Sequence, residues 1–250
     1  MNSIASFMKA VSLIRGPELP GNLKHLGFAL TSIGFHSLAK QQYLEALNLD
    51  KDTSAYYIRL AYVEFCAANY EKAIEASQNA MAIGSNDTES LSIIGRSYVY
   101  LGQYKEALYY MKKFTEELES LGQTNLYSLP WVAYSYLQNG YSEESDFYVN
   151  EQINFANMWI ENRVSGFGES YMRLALVYAF TGAKEKAYEN LRMYKKTGSG
   201  SIHIMRTRNE PLFENIRNEP EFDQIMNDLE AIYQEEHERV RQWLEEDDML

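Results

Sequence analysis

An all-α solenoid of antiparallel helix pairs is the fold class this sequence predicts, and three observations predict it. Ala39, Ala73 and Ala107 recur at an interval of 34 residues. Twelve positions before each stands a second small residue, Gly27, Ala61 and Gly95, preceded by an apolar one, Leu26, Leu60 and Ile94. Around both sites apolar residues fall three and four apart, the period of a helix buried along one face. A unit of this length reads as two helices joined by a turn. Such a pair cannot bury its apolar stripe alone, so neighbouring pairs must stack.

The elements follow in order. Ser3 to Ile14 carries Ile4, Phe7, Met8, Val11 and Ile14 at helical spacing and is expected to form an N-terminal capping helix within residues 1–19. About five helix pairs are expected next, at residues 20–53, 54–87, 88–121, 126–167 and 168–201. Gly34, Ala68 and Gly102 sit where the first helix of each pair must turn into the second. The fourth pair keeps the frame with Ala133, Gly140 and Ser145, the fifth with Ala175, Gly182 and Ala187. The extra length of the fourth is expected in its second helix, Glu143 to about Ile160, and in the loop Ser165–Gly168.

These residues resemble the tetratricopeptide repeat. The resemblance implies a right-handed superhelical solenoid whose first helices line a concave groove that binds a peptide or protein segment. The chain departs from that pattern at Glu64, where later units have Tyr98, Tyr136 and Tyr178, and in lacking a proline at the end of each unit. The family's clamp for C-terminal carboxylates wants Lys and Asn in its first unit. Lys24 and Phe28 stand there, which argues against chaperone-tail binding.

The tail, residues 202–250, carries 5 basic and 14 acidic residues out of a chain charge of −12. Asn209-Glu210-Pro211-Leu212-Phe213 and Asn218-Glu219-Pro220-Glu221-Phe222 are near-copies, each with proline where a helix begins. The second opens an amphipathic helix expected to reach about Glu246, an acidic C-terminal cap on the solenoid. Its overhanging end, Val240, Trp243 and Leu244, is the expected contact of a homodimer. This tail resembles the closing segment of repeat arrays in bacterial signalling proteins, where such arrays follow a transcription-regulator, kinase or cyclase domain. That resemblance implies a regulatory role. The alternative it offers is the sensory or dimerisation module of a larger regulator.

Composition narrows the function. With 23 basic against 35 acidic residues and no basic patch, the chain is not expected to bind nucleic acid directly. No apolar run approaches the ~20 residues of a membrane span, and the expectation is a cytoplasmic protein. The single cysteine, Cys66, excludes an internal disulfide and a Cys-based zinc cage, and is expected to be a small core residue. His25, His36, His203 and His237 are dispersed, and no nucleophile elbow or phosphate loop occurs. The expectation is a non-enzymatic chain without cofactor or metal. The 20 tyrosines are expected to pack from repeat to repeat with hydroxyls reaching water.

Counting along the first helices gives the candidate groove. The ninth position of each unit is Phe28, Tyr62, Arg96, Tyr134 and Leu176, and the sixth is His25, Arg59, Ile93, Trp131 and Arg173. With Lys24 and Tyr100 nearby, arginines stand among aromatics along one line, the residue types that anchor protein interfaces. The expected partner is a protein or peptide with acidic and apolar residues.

Overall fold

The computed structural model describes residues 11, 16–84, 88–122, 126–197 and 207–246. The expected N-terminal capping helix lies, but for Val11, outside them. So does most of the loop that ends the fifth pair. The described residues form α1 (Leu19–Ser32), α2 (His36–Asp50), α3 (Thr53–Cys66), α4 (Tyr70–Ala82), α5 (Thr88–Tyr100), α6 (Tyr104–Ser120), α7 (Leu129–Gln138), α8 (Ser142–Glu161), α9 (Gly168–Phe180), α10 (Lys184–Lys196) and α11 (Pro220–Glu246). Short 3-10 turns at Leu126–Ser128 and Pro211–Phe213 complete them. Among the described residues there is no strand.

Two compact units divide the chain. Of the described residues, unit 1 holds 11, 16–84, 88–93 and 231–246; unit 2 holds 94–122, 126–197 and 207–230. Within unit 1, α1 pairs with α2 and α3 with α4, and α2 packs on α3. Within unit 2, α7 pairs with α8 and α9 with α10, while α6 packs on α7 and α8 on α9. Each helix buries one stripe, as α6 does through Ala107, Leu108, Met111, Phe114 and Leu118. Asp52 starts α3 by accepting the Ala55 amide at 3.0 Å.

The recurring small residues are the contact points of each pair. A Cβ on Gly27 would lie 2.7 Å from the ring of Tyr43, which is fully buried on α2. On Gly95 it would lie 2.9 Å from Cε of Met111 on α6. The alanines answer from the other helix, with Ala39, Ala73 and Ala107 at 0% exposure.

Every first helix ends in the same closure. The amides of Phe35, Asn69, Gln103, Tyr141 and Ala183 donate back to the carbonyls of Leu30, Glu64, Tyr98, Tyr136 and Tyr178. This six-to-one bond needs a left-handed residue just before it. Glycine supplies that conformation in four pairs, but Ala68 holds it at φ 60°.

Glu64 replaces an aromatic ring with an ion pair. Its buried carboxylate accepts from Lys40 Nζ at 2.6 Å and from Asn69 Nδ2 at 2.8 Å. Burial opposes ionisation, but the bonds and charge of Lys40, with Asn69, outweigh it and hold the carboxyl below its usual range. The tyrosines at the equivalent sites stack inside their own pairs, Tyr98 on Tyr110 at 5.7 Å and Tyr136 on Tyr148 at 5.5 Å. That corrects the expected repeat-to-repeat bridging for these rings. Tyr104 and Tyr134 do join neighbouring pairs, edge to face at 5.9 Å.

The tail helix divides its apolar face between the units. In unit 2 its first turns bury Phe222, Ile225 and Met226, and its acids meet a basic stripe on α10. Lys184 pairs with Glu219, Arg192 with Glu221 and Lys195 with Asp228. In unit 1, residues 231–246 pack on the turn of the first pair. Phe35 stacks on His237 at 4.4 Å, and His237 Nδ1 donates to the Ile33 carbonyl at 2.6 Å. Val240 and Leu244 are 3% and 0% exposed there, while Trp243 is half-buried. The dimer contact expected of Val240 and Leu244 is corrected by this burial: both are packed inside unit 1.

Two stability measurements follow from these local features. Ala68→Gly relieves the left-handed strain at an exposed site and is expected to stabilise unit 1 by about 0.5–1 kcal/mol in urea unfolding. Because Glu64 has a lowered pKa, its contribution is full above the usual glutamate value of ~4.3 and fades as pH falls through the folded value. The Tm gap between wild type and Glu64→Gln is therefore expected to shrink between about pH 5 and pH 3.

Candidate functional site

The two units treat their first-helix faces differently. In unit 1, α1 presents Lys24 and Phe28 one turn apart, and α3 presents Arg59 and Tyr62 three apart. Phe28 is 46% exposed, and its ring stacks on Tyr62 at 5.5 Å and 12°. Lys24 pairs with Asp50 at 2.8 Å and reaches Asp52 at 3.7 Å. Arg59 Nη1 donates to both oxygens of Glu89, at 3.2 and 3.4 Å. Both members of that second pair are about one-third exposed, so the pair contributes only ~0–1 kcal/mol and exchanges readily for another carboxylate.

In unit 2 the same face is filled by the chain itself. The segment Glu210–Phe213 lies on it, with Leu212, Phe213 and Ile216 all 0% exposed. Glu210 is 5% exposed, and its carboxylate receives the Tyr100 hydroxyl on one oxygen and Trp131 Nε1 at 3.1 Å on the other. The Arg96 guanidinium sits 4.0 Å above the Trp131 ring. Tyr134 is 3% exposed and packs against Phe180 at 5.5 Å. Burial raises its hydroxyl pKa. Four of the expected groove residues, Arg96, Tyr100, Trp131 and Tyr134, thus surround an internal strap.

Asn215 fixes the strap to the end of α9 by donating to the carbonyls of Ala179 and Phe180. Arg217 donates to the Glu210 carbonyl at 2.9 Å. Arg208 joins the strap to α11 through Asp223 and Glu230. Between Tyr134, Phe180 and Pro211 the strap leaves a cavity of about 60 Å³, far below a ligand pocket of ~300 Å³.

The two near-copies in the tail work alike. As Glu210 takes Tyr100 and Trp131, Glu219 takes Lys184 and the Tyr188 hydroxyl, the latter at 2.8 Å. Those bonds hold the Glu219 carboxyl below its usual range. Both phenylalanines are fully buried, and Phe213 meets Phe222 at 5.4 Å. In each copy the acid is held by polar donors, proline opens a helical turn and phenylalanine enters the core.

Arg173 stands apart from this arrangement. Its guanidinium lies 4.4 Å from the ring of Tyr127, and Nε donates to the Tyr127 carbonyl at 3.4 Å. Tyr127 also meets Trp159 at 5.7 Å and Phe155 at 6.4 Å, edge to face. Counting along first helices misses Phe155 and Trp159, because they belong to the lengthened second helix α8. Cys66 is a buried thiol outside any disulfide. Among the described residues no cluster of His, Cys, Asp and Glu could hold a metal ion, and no helix is long and apolar enough to cross a membrane.

A 34-residue helix–turn–helix unit closed on small residues is the tetratricopeptide arrangement. The repeats of this chain are similar to it in unit length and in their small-residue closure. Residues 39–114 match the family model described as anaphase-promoting complex, cyclosome, subunit 3. No curated protein matches the chain. Among solved structures, the chain is similar to YrrB, described as a TPR protein with an unusual peptide-binding site, at 19% identity and TM-score 0.44, over 78% of this chain and 93% of that one. It is similar to a Podosopora anserina kinesin-light-chain protein with nearly identical TPR-like repeats, at 17% identity and TM-score 0.47, over 78% and 99%. It is also similar to MamA, at 20% identity and TM-score 0.44, over 58% and 81%.

The strap can be tested by its one buried acid. Glu210→Ala leaves the Trp131 and Tyr100 donors facing an apolar site and is expected to cost about 2–4 kcal/mol. Glu210→Gln keeps an acceptor for one donor and is expected to cost about half of that. Urea unfolding followed by tryptophan fluorescence checks both values.

Proposed function

We propose that the protein is a non-enzymatic scaffold that binds a segment of a partner protein on the first-helix face of unit 1. The contacts assigned to the partner are Phe28, Tyr62, Arg59 and Lys24. The observation that carries this reading is the occupied face of unit 2, where the same kind of surface holds an extended stretch of acid, proline, leucine and phenylalanine. A face of this construction reads a carboxylate with aromatic N–H and O–H donors and takes apolar side chains between its helices.

In unit 1 the corresponding chemistry is a stacked phenylalanine and tyrosine beside an arginine whose present partner is weakly held. An acidic residue from the partner replaces Glu89 at Arg59 at little cost, and an apolar neighbour covers Phe28. Burying an exposed phenylalanine contributes up to about 1.5–3 kcal/mol, which makes Phe28 the anchor and the charges the source of register.

The test is a pull-down from the source organism with the full chain against the triple variant Phe28→Ala/Arg59→Ala/Tyr62→Ala, with circular dichroism on both. Proteins retained by wild type and lost from the folded variant are the expected result. Equal retention by the two would place the partner surface elsewhere.

A further inference from the structure

Two arginines of unit 2 lie over aromatic rings. Arg96 lies over the Trp131 ring, whose N–H grips the carboxylate of Glu210. Arg173 lies over the Tyr127 ring, and among the described residues no carboxylate is within ion-pair distance of it. Glu169 on the same helix acts on it only at longer range. Its hydrogen bond to the Tyr127 carbonyl is long, at 3.4 Å. Arg173 is half-buried, and that burial lowers its pKa. A half-buried guanidinium set against a ring and one carbonyl keeps donors for a charge-assisted hydrogen bond to a carboxylate.

The surroundings add an apolar wall. Tyr127 is 42% exposed, and Phe155 and Trp159, themselves 5.0 Å apart, are half-buried beside it. We infer that Arg173, Tyr127, Phe155 and Trp159 form a second docking site, which takes a glutamate or aspartate next to an apolar residue in an extended segment of a partner protein. The acid meets Arg173 in a charge-assisted hydrogen bond, and the apolar neighbour covers the Tyr127–Trp159 edge. This site is independent of the unit 1 face.

An oriented peptide library tests it, with one position fixed as Glu and the flanks randomised, selected beside an identical library fixed as Gln on the immobilised full chain carrying Phe28→Ala/Arg59→Ala/Tyr62→Ala, which removes the unit 1 face. This triple variant is expected to enrich aromatic and aliphatic residues next to the glutamate and to enrich nothing from the glutamine library. Adding Arg173→Gln is expected to lose that enrichment by at least about tenfold at an unchanged Tm. Should that chain fold poorly, Arg173→Lys in the same background keeps the charge without the planar fork and is expected to weaken the enrichment severalfold. Trp159→Ala is expected to keep the preference for glutamate and lose the apolar flank. Equal selection by the triple variant with and without a folded Arg173→Gln, or displacement by millimolar inorganic phosphate, would each overturn the assignment. So would the absence of any glutamate-dependent enrichment on the folded triple variant.

Discussion

A helix pair with one apolar stripe has no core of its own, and everything else in this protein follows from how closely the two backbones of each pair can approach. Gly27 against Tyr43 and Gly95 against Met111 set that approach. With a larger residue at either glycine the pair would open, and the next pair would lose the surface on which it stacks. The left-handed turn after each first helix is the second half of the same constraint, since it returns the chain at the angle that brings the small residues together. Among the large apolar side chains that escape burial, Phe28 stands on a first helix, while Leu44, Tyr109, Phe147 and Met193 stand on second helices.

The strap in unit 2 shows what such a face does with polar chemistry. A carboxylate taken out of water is costly unless its oxygens are satisfied. Tyr100 and Trp131 satisfy those of Glu210 from two different helices. Three fully buried apolar residues beside it contribute roughly 5–9 kcal/mol. That sum marks the strap as a permanent part of unit 2 rather than a displaceable lid. It also explains why an acidic tail suits the protein: Lys184, Arg192 and Lys195 line one edge of α10, and each meets an acid of the tail.

The fold was legible because its signals are local and periodic. The 34-residue spacing of Ala39, Ala73 and Ala107, and the prolines and glycines at helix ends, report backbone geometry that any neighbour must respect. The long helix α8 was legible for the same reason, as an excess over the repeat length. The site was legible only in part. Counting along first helices found Phe28, Tyr62, Arg59 and Arg173, but could not tell which of its residues the chain would use internally. Tyr100, Trp131 and Glu210 are far apart in sequence, and no spacing rule connects them. Glu64 was visible as a departure, while its partner Lys40, 24 residues away, was not. Val240 and Leu244 had the pattern of an interface because an interface and a buried helix face share one periodicity.

The central claim is that unit 1 offers its first-helix face to a partner while unit 2 keeps the face around Tyr100, Trp131 and Tyr134 closed under its strap. Hydrogen–deuterium exchange on the full chain, with and without a partner protein recovered by it, measures this directly. The account predicts slow exchange at Asn209–Arg217 in both states and new protection on binding in α1 and α3. Faster exchange at Asn209–Arg217 with new protection in α5 and α7 would mean that the partner displaces the strap, and would contradict it.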